Sequence, residues 1–208
     1  MPVNIFFSSF DMARLSRPES QAVTRERLLE TAKTLFLQDG YHPTSIEKVA
    51  DAAGYSKGAV YSNFRNKDEL CMAVLDDIRR QEADALMAAL AQAHTLEGRI
   101  GALQRWADQR IGDGQWTPLE MEFSAHARRD PVLRNMLAER NATMMRASTG
   151  LIALQIADMD PKPAMSAAAI ASATVALGIG LGFQRSIDSS ISITAFIETY
   201  RALLTGRP

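Results

Sequence analysis

The sequence predicts an all-α protein with an N-terminal three-helix helix-turn-helix domain and a larger C-terminal helical bundle. Apolar residues recur at the three- and four-residue spacing of helices along most of the chain, and we find no alternation typical of strands. Aromatic residues make up only 7% of the chain, while alanine, leucine and methionine are plentiful. These preferences favour helices over a β-sandwich.

Composition excludes several classes of protein. The formal net charge of −1 is unlike that of a uniformly basic nucleic-acid coat protein, although it permits a local basic patch. The single cysteine, Cys71, allows no internal disulfide and no thiolate cluster for zinc, so we expect a reducing, cytoplasmic setting. The sequence does not begin with a basic segment followed by a long apolar core, and this argues against a secretory signal. The low-charge stretch 163–184 is partly polar and fits a buried helix better than a membrane span.

The first two helices have clear boundaries. Residues 1–21 lack a sustained period and are expected to form a flexible arm, before a helix that begins at Thr24 and ends at Gly40. Thr44 and Glu47 have the spacing of a capping box, which predicts a short second helix that ends at Gly54. The expected core of this region contains seven apolar residues: Leu28, Ala32, Leu35, Phe36, Ile46, Val49 and Ala50.

A third helix follows after a very short connection. Ser56 is its predicted N-cap, and Val60 and Phe64, four residues apart, anchor it on the core. Asn66 is the predicted N-cap of a fourth helix, whose acidic first turn suits the helix dipole. We place the helix-turn-helix domain at residues 22–66 and the larger domain at 67–208. The later helices are predicted at 67–93, 96–111, 118–128, 131–157, 163–187 and 193–204.

The solvent-facing side of the third helix is small, polar and rich in hydrogen-bond donors. Between Gly54 and Lys67 the sequence holds three basic residues and no acidic one. Such a surface attracts phosphate, and Gly58 and Ala59 would let the helix backbone approach a DNA major groove closely. From spacing alone, an ordinary helical hairpin with a solvated charged face remains the alternative.

The segment Leu28–Leu70, LLETAKTLFLQDGYHPTSIEKVADAAGYSKGAVYSNFRNKDEL, resembles the DNA-binding domain of the tetracycline-repressor (TetR) family of bacterial regulators. The order and spacing of its apolar, glycine and aromatic positions carry the resemblance, which covers about a fifth of the chain. The resemblance implies a phosphate contact for Thr44 and for Lys67, and base reading from the third helix. Asn63 replaces a common histidine or tyrosine, and Tyr55 a small aliphatic residue. The DNA-binding residues that we predict are Thr44, Ser45, Tyr55, Ser56, Lys57, Gly58, Ala59, Tyr61, Ser62, Asn63 and Lys67.

The resemblance also implies that the C-terminal bundle binds a ligand and forms a homodimer. Small residues in the last two predicted helices would permit close packing with a partner chain, although they would equally suit packing inside one chain. The predicted interface residues are Ala168, Ala171, Ala176, Gly178, Phe196 and Tyr200.

A pocket for a small, largely apolar effector is expected among the helices of the larger domain. Aromatic and methionine side chains suit such ligands, although most of them would serve equally well as core. The candidates are Trp106, Trp116, Met121, Phe123, His126, Met144, Met145 and Phe183. His126 follows Glu122 by four residues, but without a third ligand nearby we expect no metal site, and we expect no cofactor.

These features together predict a dimeric, ligand-responsive regulator, most simply a repressor, that binds a palindromic DNA operator. An enzyme is not expected, because the sequence lacks repeated Glu-x-x-His ligands, a histidine near Cys71 and a phosphate-binding glycine loop. The alternative is a helical adaptor that binds a protein partner without specific DNA binding.

Overall fold

A computed structural model describes residues 16–113, 115–157 and 159–206 of the 208-residue chain. These residues form helices without any strand, as predicted. The helices are α1 (Arg17–Asp39), α2 (Ile46–Ala53), α3 (Lys57–Asn63), α4 (Lys67–Ala91), α5 (Leu96–Arg110), α6 (Trp116–Ala127), α7 (Pro131–Ile156), α8 (Ala167–Ile187) and α9 (Thr194–Thr205).

Three of the predicted helix starts are wrong by two or more residues, and α4 ends at Ala91 rather than at Ala93. Helix α1 begins at Arg17 rather than at Thr24, because Ser16 and Glu19 form a capping box there. Residues 17–21 of the expected flexible arm are therefore helical, while residues 1–15 lie outside the described part of the chain. Helix α8 begins at Ala167 rather than at residue 163, since Ser166 accepts a hydrogen bond from the Ala169 amide. Helix α6 begins at Trp116, two residues before the predicted start at Pro118.

The capping box predicted at Thr44 is also wrong. Ser45 is the N-cap of α2 and accepts a hydrogen bond from the Lys48 amide at 3.1 Å. Thr44 is fully buried, and its hydroxyl donates to the Gly40 carbonyl at 2.9 Å. The serine takes the capping role because the threonine side chain points back towards the end of α1.

Two apolar cores hold the described helices together. The first joins the buried faces of α1, α2 and α3 to the first half of α4, to α6 and to the start of α7. Leu28, Phe36, Val60 and Phe64 belong to this core, so the predicted anchoring of α3 is confirmed. The second core is formed by α5, the C-terminal half of α7, α8 and α9.

Candidate nucleic-acid interface

Helix α3 lies on the surface, and its apolar side packs against the first core. Val60 and Phe64 are at most 1% exposed, whereas Tyr61 is 52% exposed. Ser56 is the N-cap, as predicted, and accepts a hydrogen bond from the Ala59 amide at 3.2 Å. Gly54 has the left-handed conformation (φ 76°, ψ 28°) that turns the chain sharply between α2 and α3. Local signals therefore orient α3 so that its polar side faces solvent.

Most of the predicted DNA-binding residues are accessible to solvent. The exposed or half-exposed members are Ser45, Ser56, Lys57, Gly58, Ala59, Tyr61, Ser62, Asn63 and Lys67. Tyr55 is half-buried and packs against the first core, so its role is at least partly structural. The hydroxyl of Thr44 is engaged inside the domain, which leaves the predicted phosphate contact without an accessible side chain.

The three cations of this face have partners inside the chain. The Lys57 ammonium lies 2.9 Å from a carboxylate oxygen of Glu47 on α2. The Arg65 guanidinium lies 2.9 Å from Glu69. The Lys67 ammonium donates to the His42 carbonyl at 3.1 Å and lies 4.1 Å from the centre of the Tyr41 ring. Burial lowers the pKa of Lys67. The patch predicted as basic is therefore partly neutralised before any DNA arrives.

The sequence interpretation missed an arginine that supports α3. The Arg25 guanidinium on α1 lies 4.1 Å from the centre of the Phe64 ring and donates to the Asn63 carbonyl at 2.5 Å. The Asn63 amide nitrogen donates to the Ala59 carbonyl at 2.8 Å, so this side chain is also held within the helix. Arg25 and Asn63 thus stabilise the C-terminal end of α3 from its inner side.

A polar junction connects the helix-turn-helix domain to α6. The Glu122 carboxylate accepts hydrogen bonds from the amides of Tyr41 at 2.7 Å and His42 at 3.0 Å, in the turn after α1. The His126 ring nitrogen lies 3.0 Å from an Asp68 carboxylate oxygen and 3.2 Å from the Tyr41 hydroxyl. The Tyr41 hydroxyl also donates to Asp68. Through this junction α6 contacts the first turn of α4 and the turn between α1 and α2.

The predicted pocket residues do not meet in one place. Trp116 and Phe123 belong to the first core, while Trp106 and Met145 pack on the second. Met144 is half-exposed, and Met121 and Phe183 are 40% and 46% exposed. His126 lines a cleft of about 160 Å³ beside His42, Glu122 and Arg129. Phe123 is buried in the first core, whereas Phe183 is exposed on α8, so these two residues lie in different environments.

A larger cleft lies elsewhere on the same domain. Its volume is about 460 Å³, and its walls come from α5 and from the segment that leads into α9. Gln104, Arg105, Asp108, Ser192 and Thr194 give it a polar lining, which differs from the apolar pocket that the sequence suggested. Among the described residues we find no group of three or more His, Cys, Asp or Glu side chains suited to a metal ion.

Half of the predicted dimer residues are buried inside the chain. Ala171, Phe196 and Tyr200 are at most 4% exposed and belong to the second core. A Cβ atom at Gly178 would lie 3.5 Å from the Phe196 ring, so this glycine also packs internally. Ala168 and Ala176 are exposed on α8 and remain candidates. Ala171, Phe196 and Tyr200 pack inside the chain, although a small or aromatic stripe packs in the same way within a chain and between chains, and the half-buried Gly178 also remains a candidate.

One helix of the described chain, α8, is long and apolar enough to cross a membrane by length and composition alone. Only 17% of its most apolar window is buried inside the chain. Its exposed side carries Ile179, Phe183 and Ile187, which are 65%, 46% and 74% exposed. Exposed apolar surfaces of this kind are typical of protein–protein or membrane contacts.

Comparison with known proteins agrees with this architecture. Residues 28–74 match the family of bacterial regulatory proteins named tetR. The chain is 31% identical over 130 residues to the HTH-type transcriptional repressor Rv1474c of Mycobacterium tuberculosis. The aligned region covers 62% of this chain and 64% of that protein. The chain thus spans slightly less than two thirds of the length of this curated relative.

Solved structures match over nearly the whole chain. The TetR-family regulator SCO4454 of Streptomyces coelicolor has a TM-score of 0.65 at 25% identity, covering 89% of this chain and 96% of that one. A transcriptional regulator from Saccharomonospora viridis, solved in complex with choline, has a TM-score of 0.67 at 20% identity and covers 86% and 94%. The helix-turn-helix geometry agrees with the family match: residues 28–74 of this chain are similar to the DNA-binding segment of the tetR family of bacterial regulatory proteins.

Proposed function

We propose that this protein is a sequence-specific DNA-binding transcriptional repressor that acts as a homodimer on a palindromic operator and is released by a small-molecule effector. The observation that carries the proposal is the exposed polar face of α3, with Lys57, Gly58 and Tyr61 outward and Val60 and Phe64 beneath. The named relative is itself a transcriptional repressor. Such a protein works where the DNA is, in the bacterial cytoplasm.

The chemistry of α3 suits a major groove. Gly58 and Ala59 add little bulk, so the start of the helix can come close to base edges. Lys57 can reach a guanine edge or a phosphate, and the Tyr61 hydroxyl can donate to either. A lysine in the neighbouring turn, Lys67, is placed at the N-terminus of α4, where backbone amides also favour phosphate.

Substitutions on this face test DNA binding. Lys57→Ala and Tyr61→Ala should each weaken operator binding by about 1–3 kcal/mol if they contact bases. Lys67→Ala should weaken binding to all sequences and reduce the salt slope by about one. Lys162→Ala, an exposed lysine far along the chain between α7 and α8, is the matched control. Unchanged affinity in the three α3–α4 variants, with all of them folded, would favour the protein-adaptor alternative.

The dimer would form through α8. Its exposed stripe of small and apolar residues recurs every three or four positions and comprises Ala168, Ser172, Ala176, Ile179, Phe183 and Ile187. The outer side of α9 next to it is small, with Ala195, Thr199 and Ala202 at similar spacing. Two copies of such a pair pack as a four-helix bundle around a two-fold axis. A two-fold dimer would place the two α3 helices about one DNA turn (~34–36 Å) apart.

A charge placed in the α8 stripe tests the dimer. Phe183→Asp should give a monomer in analytical ultracentrifugation, because the carboxylate would be buried against an apolar partner surface. It should also weaken operator binding strongly, since one half-site alone provides half of the contacts. Val132→Asp on α7, at a residue that is 67% exposed, is the control. A Phe183→Asp protein that stays dimeric would remove α8 from the interface.

The effector response is supported by the fold and by the α6 junction. The structural neighbour from Saccharomonospora viridis holds choline, which supports a small-molecule site in this type of bundle. Glu122 and His126 connect α6 to the helix-turn-helix domain, so a ligand that shifts α6 would also shift α3. An effector that lowers DNA affinity must itself bind more weakly to the DNA-bound protein. Calorimetric titration of the candidate effector into free and operator-bound protein measures this reciprocity directly.

A further inference from the structure

The recognition face holds a carboxylate that the sequence pattern assigned to another role. Glu47 was expected to reach back to the start of α2 as part of a capping box. Its carboxylate interacts with Ser45 at the start of α2 and also lies 2.9 Å from the Lys57 ammonium at the start of α3. The two side chains are 47% and 58% exposed, so the pair lies at the surface that would meet DNA.

We infer that Glu47 is an affinity-limiting residue of the DNA-binding face, which holds Lys57 in an ion pair that must open before the ammonium can contact a base edge or a phosphate. This inference rests on the proposed function and deepens it. A duplex that Lys57 contacts must supply a partner for the ammonium in place of the Glu47 carboxylate. The cost of opening the pair therefore falls on every such duplex, and an operator carries it in full.

The size of the effect follows from the exposure of the pair. An exposed ion pair shifts an equilibrium by about fivefold at most. This bias is too small to prevent binding at an operator, where each good base contact contributes about fivefold to more than a hundredfold. It is comparable to the contribution of one phosphate contact, on which non-specific binding depends. Glu47 therefore lowers the affinity for any duplex that Lys57 contacts, and it lowers the affinity for an operator at least as much as the affinity for random DNA.

The neighbouring charges support this restraint on Lys57. The Lys57 ammonium lowers the pKa of the Glu47 carboxyl to about 2, so this carboxylate stays charged throughout the neutral range. Asp51, one turn further along α2, also raises the pKa of Lys57 but contributes less than Glu47. Lys48, between these acids, is paired with Asp39 at 2.9 Å. Glu47 is the acid in contact with the first residue of α3.

The variant Glu47→Gln tests the inference against Asp51→Asn, which removes the same charge from the same helix without the contact to Lys57. Affinity is measured by fluorescence anisotropy over a series of salt concentrations, on a labelled duplex of random sequence and on the duplex that wild-type protein enriches. We expect Glu47→Gln to tighten binding to the random duplex about three- to fivefold and to steepen its salt slope by about one, with an equal or larger gain on the enriched duplex. Asp51→Asn should change the random-duplex affinity less.

A double-mutant cycle separates the ion pair from the general loss of charge. In a Lys57→Gln background, Glu47→Gln should lose most of its effect on the random duplex. Equal effects of Glu47→Gln and Asp51→Asn, or an effect that survives in the Lys57→Gln background, would overturn the inference. Weaker binding of Glu47→Gln to the enriched duplex alone would also overturn it, because Glu47 would then contact a base itself. If wild-type protein enriches no duplex, the proposed function fails instead. Circular dichroism of each variant confirms that α2 remains folded.

Discussion

The two cores of the chain differ in what they connect. The first core joins the helix-turn-helix to α4, α6 and the start of α7, whereas the second contains only helices of the larger domain. A tyrosine hydroxyl lies at the polar edge of each core: Tyr41 donates to the Asp68 carboxylate, and Tyr200 donates to the Gln155 amide oxygen at 2.6 Å. The comparison teaches that the helix-turn-helix region shares its interior with α4, α6 and the start of α7.

This shared interior changes how the predicted domain boundary is understood. The sequence places a boundary between residues 66 and 67, where the helix-turn-helix pattern ends. Leu70, Val74 and Leu75 of α4 are nevertheless at most 2% exposed and lie in the same core as Phe36 and Phe64. We propose that residues 22–66 form the DNA-reading surface, while the unit that folds around the first core extends into α4 and α6.

The largest expected effect comes from removing one aromatic ring from each core. Phe123 is 0% exposed in the first core and Phe196 is 3% exposed in the second. Phe123→Ala and Phe196→Ala should each lower the free energy of unfolding by about 3–5 kcal/mol, through lost burial and a cavity. In hydrogen exchange, Phe123→Ala should accelerate the amides of α1–α3, and Phe196→Ala should leave them close to wild type. Equal acceleration by both variants would mean that the cores act as one.

A smaller effect is expected at the junction with α6. Glu122→Ala removes a charged acceptor from two backbone amides, and charged hydrogen bonds contribute about 1.5–3 kcal/mol each. We expect a loss of about 2–3 kcal/mol in the free energy of unfolding and faster exchange of the Tyr41 and His42 amides. Glu139→Ala, at an exposed position on α7, is the control. An unchanged exchange rate at those two amides would show that the turn after α1 does not depend on α6.

The smallest effects sharpen the comparison of the two tyrosines. Tyr41→Phe should cost about 1.5–3 kcal/mol because its acceptor is a carboxylate, and Tyr200→Phe about 0.5–1.5 kcal/mol because its acceptor is an amide. Burial raises the pKa of both hydroxyls, and that of Tyr200 to about 12.

The raised pKa of Tyr200 gives this comparison a pH signature. The unfolded chain loses the tyrosine proton near pH 10, before the folded chain does. The contribution of Tyr200 to the free energy of unfolding is therefore full below that pH and falls as pH rises towards about 12. Urea unfolding of wild type and Tyr200→Phe at several alkaline pH values measures it. A parallel decline in both proteins would contradict the assignment.

Local signals explain why most of the helices were predictable. Ser56 and Asn66 cap their helices, and Gly40 and Gly54 end theirs with positive φ, because these residue types satisfy backbone groups or adopt that conformation wherever they stand. The start of α1 was missed because Ser16 precedes a polar stretch without an apolar period, although Ser16 and Glu19 have capping-box spacing.

Contacts between distant residues explain what the sequence did not reveal. Glu122 and Tyr41 lie 81 residues apart, and nothing in the local pattern of either indicates the other. The Glu47–Lys57 pair depends on the angle between α2 and α3, which the turn at Gly54 determines. The packing inside the larger domain was more difficult to predict from the sequence. The stripe that contains Phe196 and Tyr200 is compatible both with a core and with a dimer surface. Only the packed structure shows that α8, rather than that stripe, exposes the large apolar side chains.

The central claim is that α3 reads DNA sequence as one half of a two-fold pair. The most direct measurement is selection of duplexes from a random-sequence library by the purified full chain, followed by sequencing of the enriched pool. The account predicts a palindromic site whose half-sites are centred about one helical turn apart, and whose enrichment disappears with Lys57→Ala. Enrichment of no site, or of a site that Lys57→Ala still selects equally well, would contradict it.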